Sequence, residues 1–350
     1  MAVSAKDIAR ALGLSPAAVS LALRGRPGVS EATRALVLEK AAELGYVMED
    51  RAHPDRRGMI QLVIYKRHGK VFSETPFFEQ LTEGVAEKAA ELGYHLSISY
   101  FYGSQNHQEQ LRSLRSLKSG GIILLATEMH AVDMKLFSNV DVPLVVLDNF
   151  FPTESYDLVG IDNRYGVVDA IRYLIDCGHT RIGYLHSSVE IRNFLRRQDG
   201  YNMGCRLLPE PLARDAIRRV VRVGVTPEAA AADMRTYLAG APILPTAFFA
   251  DNDSIAAGCC RAIQEYGLRI PRDVSIIGFD DSSVCQMTNP PLTTMGIHKE
   301  RMGALAVTRL HERMQNNIPE NARIMVRPRI VIRGSVLDLN APITDEEFLD

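Results

Sequence analysis

Cysteine is sparse in this chain and shows no pairing pattern. Its five residues, Cys177, Cys205, Cys259, Cys260 and Cys285, are odd in number and form no C-x-x-C spacing, which argues against a disulfide framework and against a metal or redox motif of that type. Buried thiols in a reducing compartment are the simplest reading. An excess of either charge is also missing: 40 Lys and Arg stand against 42 Asp and Glu, a net charge of -2, so any nucleic-acid footprint has to be local. No apolar run approaches the roughly 18 residues of a membrane span, and the N-terminus lacks the apolar core of a secretion signal. A cytoplasmic protein with no membrane partner is the expectation. There is no G-x-G-x-x-G after a strand, no P-loop, and no cluster of nucleophile and base. No cofactor, metal ion or catalytic reaction is expected on those grounds.

What is present begins at the N-terminus. In SAKDIARALGLSPAAVSLALRGRPGVSEATRALVLEKAAELGY, Ser4, Ser15 and Ser30 each precede an apolar repeat of helical spacing, where a hydroxyl can cap exposed N–H groups. Asp7 follows Ser4 by three residues, the spacing of a capping box. Pro16 occupies the first position of the second helix, where its fixed φ and missing N–H do no harm. Gly13 stands where the chain turns, with the small Ala9 four residues earlier to allow close helix approach. Ile8, Leu12, Val19, Leu23, Val29, Leu36, Val37 and Leu44 can make a small core. Three such helices read as a helix-turn-helix headpiece over residues 1–46, the second being the recognition helix and double-stranded DNA the partner. Charge over residues 1–57 is modest, nine Lys and Arg against seven acids.

Beyond Tyr46 a polar stretch, VMEDRAHPDRRG, reads as a linker over 47–58,. From Met59 to about residue 338, short apolar runs alternate with amphipathic segments, and the pattern restarts after the helix at 165–177. This predicts two doubly wound α/β subdomains with parallel sheets, set behind the all-α headpiece. The acidic tail, 339–350, shows no core pattern and is expected to stay disordered.

Ligands of open α/β sheets gather at the carboxyl ends of strands. Asp148 directly follows LVVL and Asp280 follows SIIGF; a carboxylate there can accept two hydroxyl hydrogen bonds or cap a turn. Asn252 and Asp253 follow AFFA, equally placed to cap a helix or to reach a ligand. Phe77 and Phe78 begin a helix and can stack on an apolar ligand face or fill the core. Ser187 and Ser188, after IGYL, offer small hydroxyls.

Six landmarks in fixed order carry a resemblance: DIARALGLSPAAVSLALRG, LGY at 44–46, GHTRIGYLHSS from Gly178, RRQDGY from Arg196, ADNDSIAAG from Ala250, and IPRDVSIIGFDD followed by NPPLTT. With these, the chain from Ser4 to Val336 resembles the LacI/GalR-type repressors. The resemblance implies a homodimeric regulator whose core is like a periplasmic sugar-binding protein, with subdomains near 59–161 plus 293–324 and 162–292 plus 325–338. It implies a small effector, a sugar or sugar derivative, held between them, with Asp148, Asp280 and Arg197 matching residues that contact ligand in the family; Phe77, Phe78, Ser187, Asn252 and Asp253 are further candidates by position. Arg192 and Arg196 beside Arg197 leave a solvated basic face open as a second reading, and His298 falls where many relatives carry proline. On the DNA side, Pro16 and Ala17 match base-reading positions yet are apolar, able to touch thymine methyls only. Leu21 stands where some relatives use arginine. Ser4, Ser15, Ser20, Arg24, Arg26 and Arg51 read as contacts that position the backbone. The hinge departs from the family: Pro54 lies inside its presumed helix and Asp55 stands where a minor-groove leucine is expected, which argues against a leucine wedge. A plain solute-binding protein suits the core alone, but the headpiece and the missing secretion signal argue against it.

Overall fold

The computed structural model describes residues 5–23, 29–44, 58–71, 77–153, 155–208, 219–316 and 318–341, with the side chains at 5, 6, 17, 20 and 42 not described. Residues 1–56 form one compact unit and 57–350 another.

The first unit holds helices α1 (Ala5–Leu12), α2 (Pro16–Leu23) and α3 (Glu31–Glu43). Two of the serine caps are formed: the Ser15 hydroxyl accepts from the Ala18 N–H at 3.1 Å, and Ser30 accepts from the Thr33 N–H at 3.2 Å. Gly13 takes the left-handed conformation, φ +62°, that ends α1, which a residue with a side chain adopts only at a cost. Ile8, Ala9, Val19, Ala22, Val37 and Ala41 are buried together, with Leu12, Leu14, Leu23 and Val29 packed against them. Leu36 and Leu44 do not join this core as expected; they are 50% and 38% exposed. The inward stripe of α3 is Val37 and Ala41, four residues apart, so Leu36 is turned about 100° away. Leu44 lies past the last turn of α3.

The second unit contains two six-stranded sheets. The first is built from β1 (Gly58–Lys66), β2 (Tyr94–Tyr102), β3 (Gly121–Leu125), β4 (Leu144–Leu147), β5 (Asp157–Ile161) and β11 (Arg323–Val326), in spatial order β11-β5-β4-β3-β1-β2. The second is built from β6 (Ile182–Ser187), β7 (Val220–Val223), β8 (Ala247–Ala250), β9 (Ser275–Asp280), β10 (Thr293–Gly296) and β12 (Arg329–Val331), in order β12-β10-β9-β8-β6-β7. All pairings are parallel except that of β12 with β10. Strands such as GIILL, LVVL and AFFA are buried along their length, as parallel strands covered on both faces must be.

Helices α4 (Phe77–Glu91) and α11 (Lys299–Gln315) cover the first sheet, with α5 (His107–Ser116) beside β2, and α6 (Asn163–Asp176), α7 (Arg192–Gly204), α8 (Pro227–Ala239) and α9 (Asp253–Glu265) the second, with the short α10 (Val284–Met287) following β9. Gly84 of α4 and Gly303 of α11 allow the close helix contact: a Cβ at Gly303 meets the Leu81 carbonyl oxygen at 2.4 Å. One boundary differs from expectation. Strand β10 belongs to the second sheet, pairing Thr293 with Ile277 and Gly296 with Asp280, so the chain returns to the first lobe after residue 296 rather than at 293. β11 completes the first sheet through Val326, one residue beyond the expected crossing at 325. All five cysteines are buried free thiols. Among the described residues no helix is long and apolar enough to cross a membrane.

Candidate functional site

The carboxyl ends of the two sheets face one cleft, lined by Phe77, Phe78, Thr127, Asp148, Asn193, Phe194, Arg197, Asn252 and Asp280, among others. The free space it holds in this conformation is about 20 Å³, far below the roughly 300–1,000 Å³ that small-molecule sites occupy.

A continuous polar chain crosses it. The Thr127 hydroxyl donates to Asp148 Oδ2 at 2.6 Å, and Asn193 Nδ2 donates to Asp148 Oδ1 at 3.0 Å. Asn193 Oδ1 accepts from Asn163 Nδ2 at 3.0 Å, and Asn163 Oδ1 accepts from Arg197 Nε at 2.8 Å. Arg197 then donates to Asp280 Oδ1 at 3.2 Å and to the Asp251 carbonyl, while its guanidinium lies 3.7 Å from the centre of the Phe279 ring. A planar fork with several fixed donors is suited to this task where a lysine is not.

Both strand-end acids hold unusual backbone conformations, φ +58° at Asp148 and +110° at Asp280. Left-handed non-glycine residues store strain, of order 1–3 kcal/mol each, and cluster at ligand clamps. Burial pushes the Asp148 carboxyl up to about 7, against the hydrogen bonds from Thr127 and Asn193 and the nearby Arg197, which favour its charge. Asp280 is likewise raised by burial, with Arg197 and Lys299 pulling the other way. A carboxyl near neutrality can both donate to and accept from a ligand hydroxyl.

Of the residues singled out in the sequence, Phe77, Phe78, Asp148, Arg197, Asn252 and Asp280 are brought to the cleft. Asn252 is also the N-cap of α9, accepting from Ile255 N–H at 2.9 Å. Asp253 is not brought there: its carboxylate accepts from Ser282 N–H at 2.7 Å and Thr294 Oγ1 at 2.6 Å. Nor is Ser187, whose hydroxyl turns to the Val189 carbonyl at 3.1 Å. Arg192 is exposed, Arg196 stacks on the Phe150 ring at 4.1 Å, and His298 is exposed. In the headpiece, Ser15 and Pro16 are exposed and Leu21 is half-buried. Ser4, Arg24, Arg26, Arg51, Pro54, Asp55 and the side chains of Ala17 and Ser20 lie outside the described residues.

Thr127, Asn163, Asn193 and Asp251 are the polar groups sequence reasoning passed over. Asp251 directly follows β8, and Thr127 and Asn163 each stand two residues past a strand, so the strand-end rule that found Asp148 applies to them too. Asp251 accepts from the Ser187 N–H at 2.7 Å, pairs with His186 Nδ1 at 2.6 Å, and through its carbonyl holds Arg197.

Comparison with known proteins places this geometry. The family model described as bacterial regulatory proteins, lacI family, matches residues 4–49, and that of the periplasmic binding protein-like domain matches residues 171–336. The HTH-type transcriptional repressor PurR of Pasteurella multocida is 32% identical over 343 residues, covering 95% of this chain and 98% of the relative. The chain belongs to the lacI family of bacterial regulatory proteins. As a member of that family it is a DNA-binding transcriptional repressor with a periplasmic-binding-protein-like core, and not an enzyme. A solved complex of the transcriptional regulator CelR with cellobiose is similar at 27% identity and TM-score 0.68, covering 95% of this chain and 99% of that one. The Lac repressor dimer bound to operator and an anti-inducer shares the lacI-family fold at 22% identity and TM-score 0.72, covering 96% and 100%.

Proposed function

We propose that this repressor binds an imperfectly palindromic operator as a cytoplasmic homodimer and is controlled by a small polyhydroxyl effector, a sugar or sugar derivative, in the cleft between its lobes. The observation that carries the effector reading is the pair of buried strand-end carboxylates, Asp148 and Asp280, one from each sheet, joined through Asn193, Asn163 and Arg197. Vicinal hydroxyls suit such a site, since each carboxyl and the guanidinium fork can take a pair of them. Phe77, Phe78 and Phe194 supply apolar walls for the carbon face of a sugar ring,, and Asn252 adds an amide. Asp253 and Ser187 brace the lobe behind it. The CelR complex, which holds cellobiose, supports a carbohydrate.

On DNA, the α2 helices of two protomers occupy successive major grooves. Ser4, Ser15, Ser20, Arg24, Arg26 and Arg51 contact the phosphate backbone, and Pro16, Ala17 and Leu21 offer apolar contacts to thymine methyls. The Lac repressor dimer on its operator supports that arrangement. Effector and operator affinity are then linked reciprocally.

The test is a thermal-shift screen of the full chain against monosaccharides, disaccharides and nucleobases. A ligand present at 100 times its Kd stabilises by about 2.7 kcal/mol. One sugar is expected to raise Tm clearly, and Arg197→Met to abolish the rise. Stabilisation by nucleobases alone, or a rise that survives Arg197→Met, contradicts the reading.

A further inference from the structure

At the crevice of the first sheet, between β1 and β3, the loop that leaves β1 is gripped by one side chain that no part of the polar chain above involves. We propose that the loop Arg67–Val71 is a latch holding the two lobes closed, and that Glu128 is the residue that positions it. The Glu128 carboxylate is buried. Its Oε2 accepts from the N–H groups of Arg67 at 2.9 Å, His68 at 3.0 Å and Gly69 at 2.8 Å, and its Oε1 accepts from that of Val71 at 3.1 Å. Four backbone donors converging on one carboxylate are charge-assisted bonds, about twice as strong as neutral ones. Gly69, at φ +71°, supplies the left-handed step that lets the loop wrap around the carboxylate,. Arg67 pairs with Asp133 on the far side.

The grip aims Val71 out of its own lobe. Val71 is 4% exposed and packs with Ile191, Phe194 and Val225 of the second lobe, with Phe78 and Val189 at the edge of the cluster. Val71, Phe78, Ile191 and Phe194 also line the cleft, so this contact narrows it. The free space left inside is about 20 Å³, close to what one water needs, so a sugar-sized ligand has room only when the lobes part. Parting them exposes the Val71 cluster to water, and the loop cannot follow the second lobe while Glu128 holds its amides. At the crevice of the second sheet, between β6 and β8, Asp251 takes a single backbone N–H, that of Ser187. Both walls are thus pinned at the base, and the apolar latch sits between them.

The effector reading names what closure acts on, but the latch is tested without effector or operator. Spin labels at Val132→Cys and Ile243→Cys, 69% and 68% exposed and one on each lobe, report lobe separation by pulsed electron resonance in the full chain, diluted with unlabelled protein. The five native thiols are buried and escape labelling. The parent should give one short distance. Val71→Ser removes an apolar contact, and Glu128→Gln loses the acceptor for Val71 or for the other three amides, so each should raise the open population about tenfold. The double variant should open no further than either alone, because both release the same latch. A distance distribution unchanged in Val71→Ser overturns the proposal, as does Glu128→Gln lowering Tm with no change in distance, which marks a brace of the first lobe only. If Glu128→Gln does not fold, Val71→Ser decides alone. Failure of the sugar screen leaves these distances unaffected.

Discussion

Asn193 donates to Asp148 across the cleft at 3.0 Å, so helix α7 of the second lobe is hydrogen-bonded to the strand end after β4 in the first. The same amide accepts from Asn163, which holds Arg197, so the acid of one lobe and the guanidinium of the other share one network. Buried networks of this kind act as units, and partial loss costs more than the sum of pairs.

The pH dependence of stability follows from Asp148. Burial raises its folded pKa to about 7, above the unfolded value near 3.9, so between those values the folded state binds more protons. Its contribution to stability is therefore fully present below about pH 4 and is lost as pH rises to about 7. Asp148→Asn removes that titration while Asp253, also raised to about 7, remains. Thermal denaturation at pH 5, 6, 7 and 8 should show the parent losing more stability across the series than Asp148→Asn. Parallel profiles would mean that the carboxyl is ionised throughout.

Arg197 is the most heavily used side chain of the site. Arg197→Met leaves Asp280 buried without its ion pair and Asn163 Oδ1 without its donor; breaking a buried pair in this way costs about 3–5 kcal/mol. Urea denaturation monitored by circular dichroism should show a lower midpoint with an unchanged slope, the product of slope and shift matching that loss. Arg197→Lys keeps the charge but not the fork, and should recover only part of the loss.

The helix contact at α4 and α11 makes a sharper packing prediction. At Gly303 an added Cβ meets backbone, the Leu81 oxygen at 2.4 Å and the Val85 nitrogen at 2.8 Å, which cannot swing aside as a side chain can. Gly303→Ala should destabilise the core by about 1–3 kcal/mol, read as a lower urea midpoint. Gly240→Ala, whose nearest neighbour is at 3.4 Å, should cost far less.

Much of this architecture was legible in the amino-acid order because buried parallel strands are short apolar runs, and GIILL, LVVL and AFFA stand out as such. Which sheet a strand joins is not written in its composition. PLTTM reads the same beside β5 or β9, and only the pairing of Thr293 with Ile277 shows that β10 joins the second sheet. Strand-end acids were visible by position, as with Asp148 and Asp280. Asn193 was not, since an amide near the start of a helix looks like a cap until its partner across the cleft is known. Glu128 left no trace at all: besides the His68 ring at 3.0 Å its partners are four backbone N–H groups, which every residue but proline supplies. In the headpiece, Leu36 fits a helical apolar repeat by residue type, but the stripe chosen in packing runs through the smaller Val37 and Ala41.

The central claim is that a paired groove-docking headpiece reads DNA under control of the core. The most direct test is selection from a random duplex library with the full chain, followed by fluorescence anisotropy on the enriched sequence with and without residues 1–57. The account predicts enrichment of an imperfect palindrome, bound by the full chain as a dimer, with specific affinity lost on removal of those residues. An enriched sequence lacking two-fold symmetry, or unchanged affinity after their removal, would contradict it.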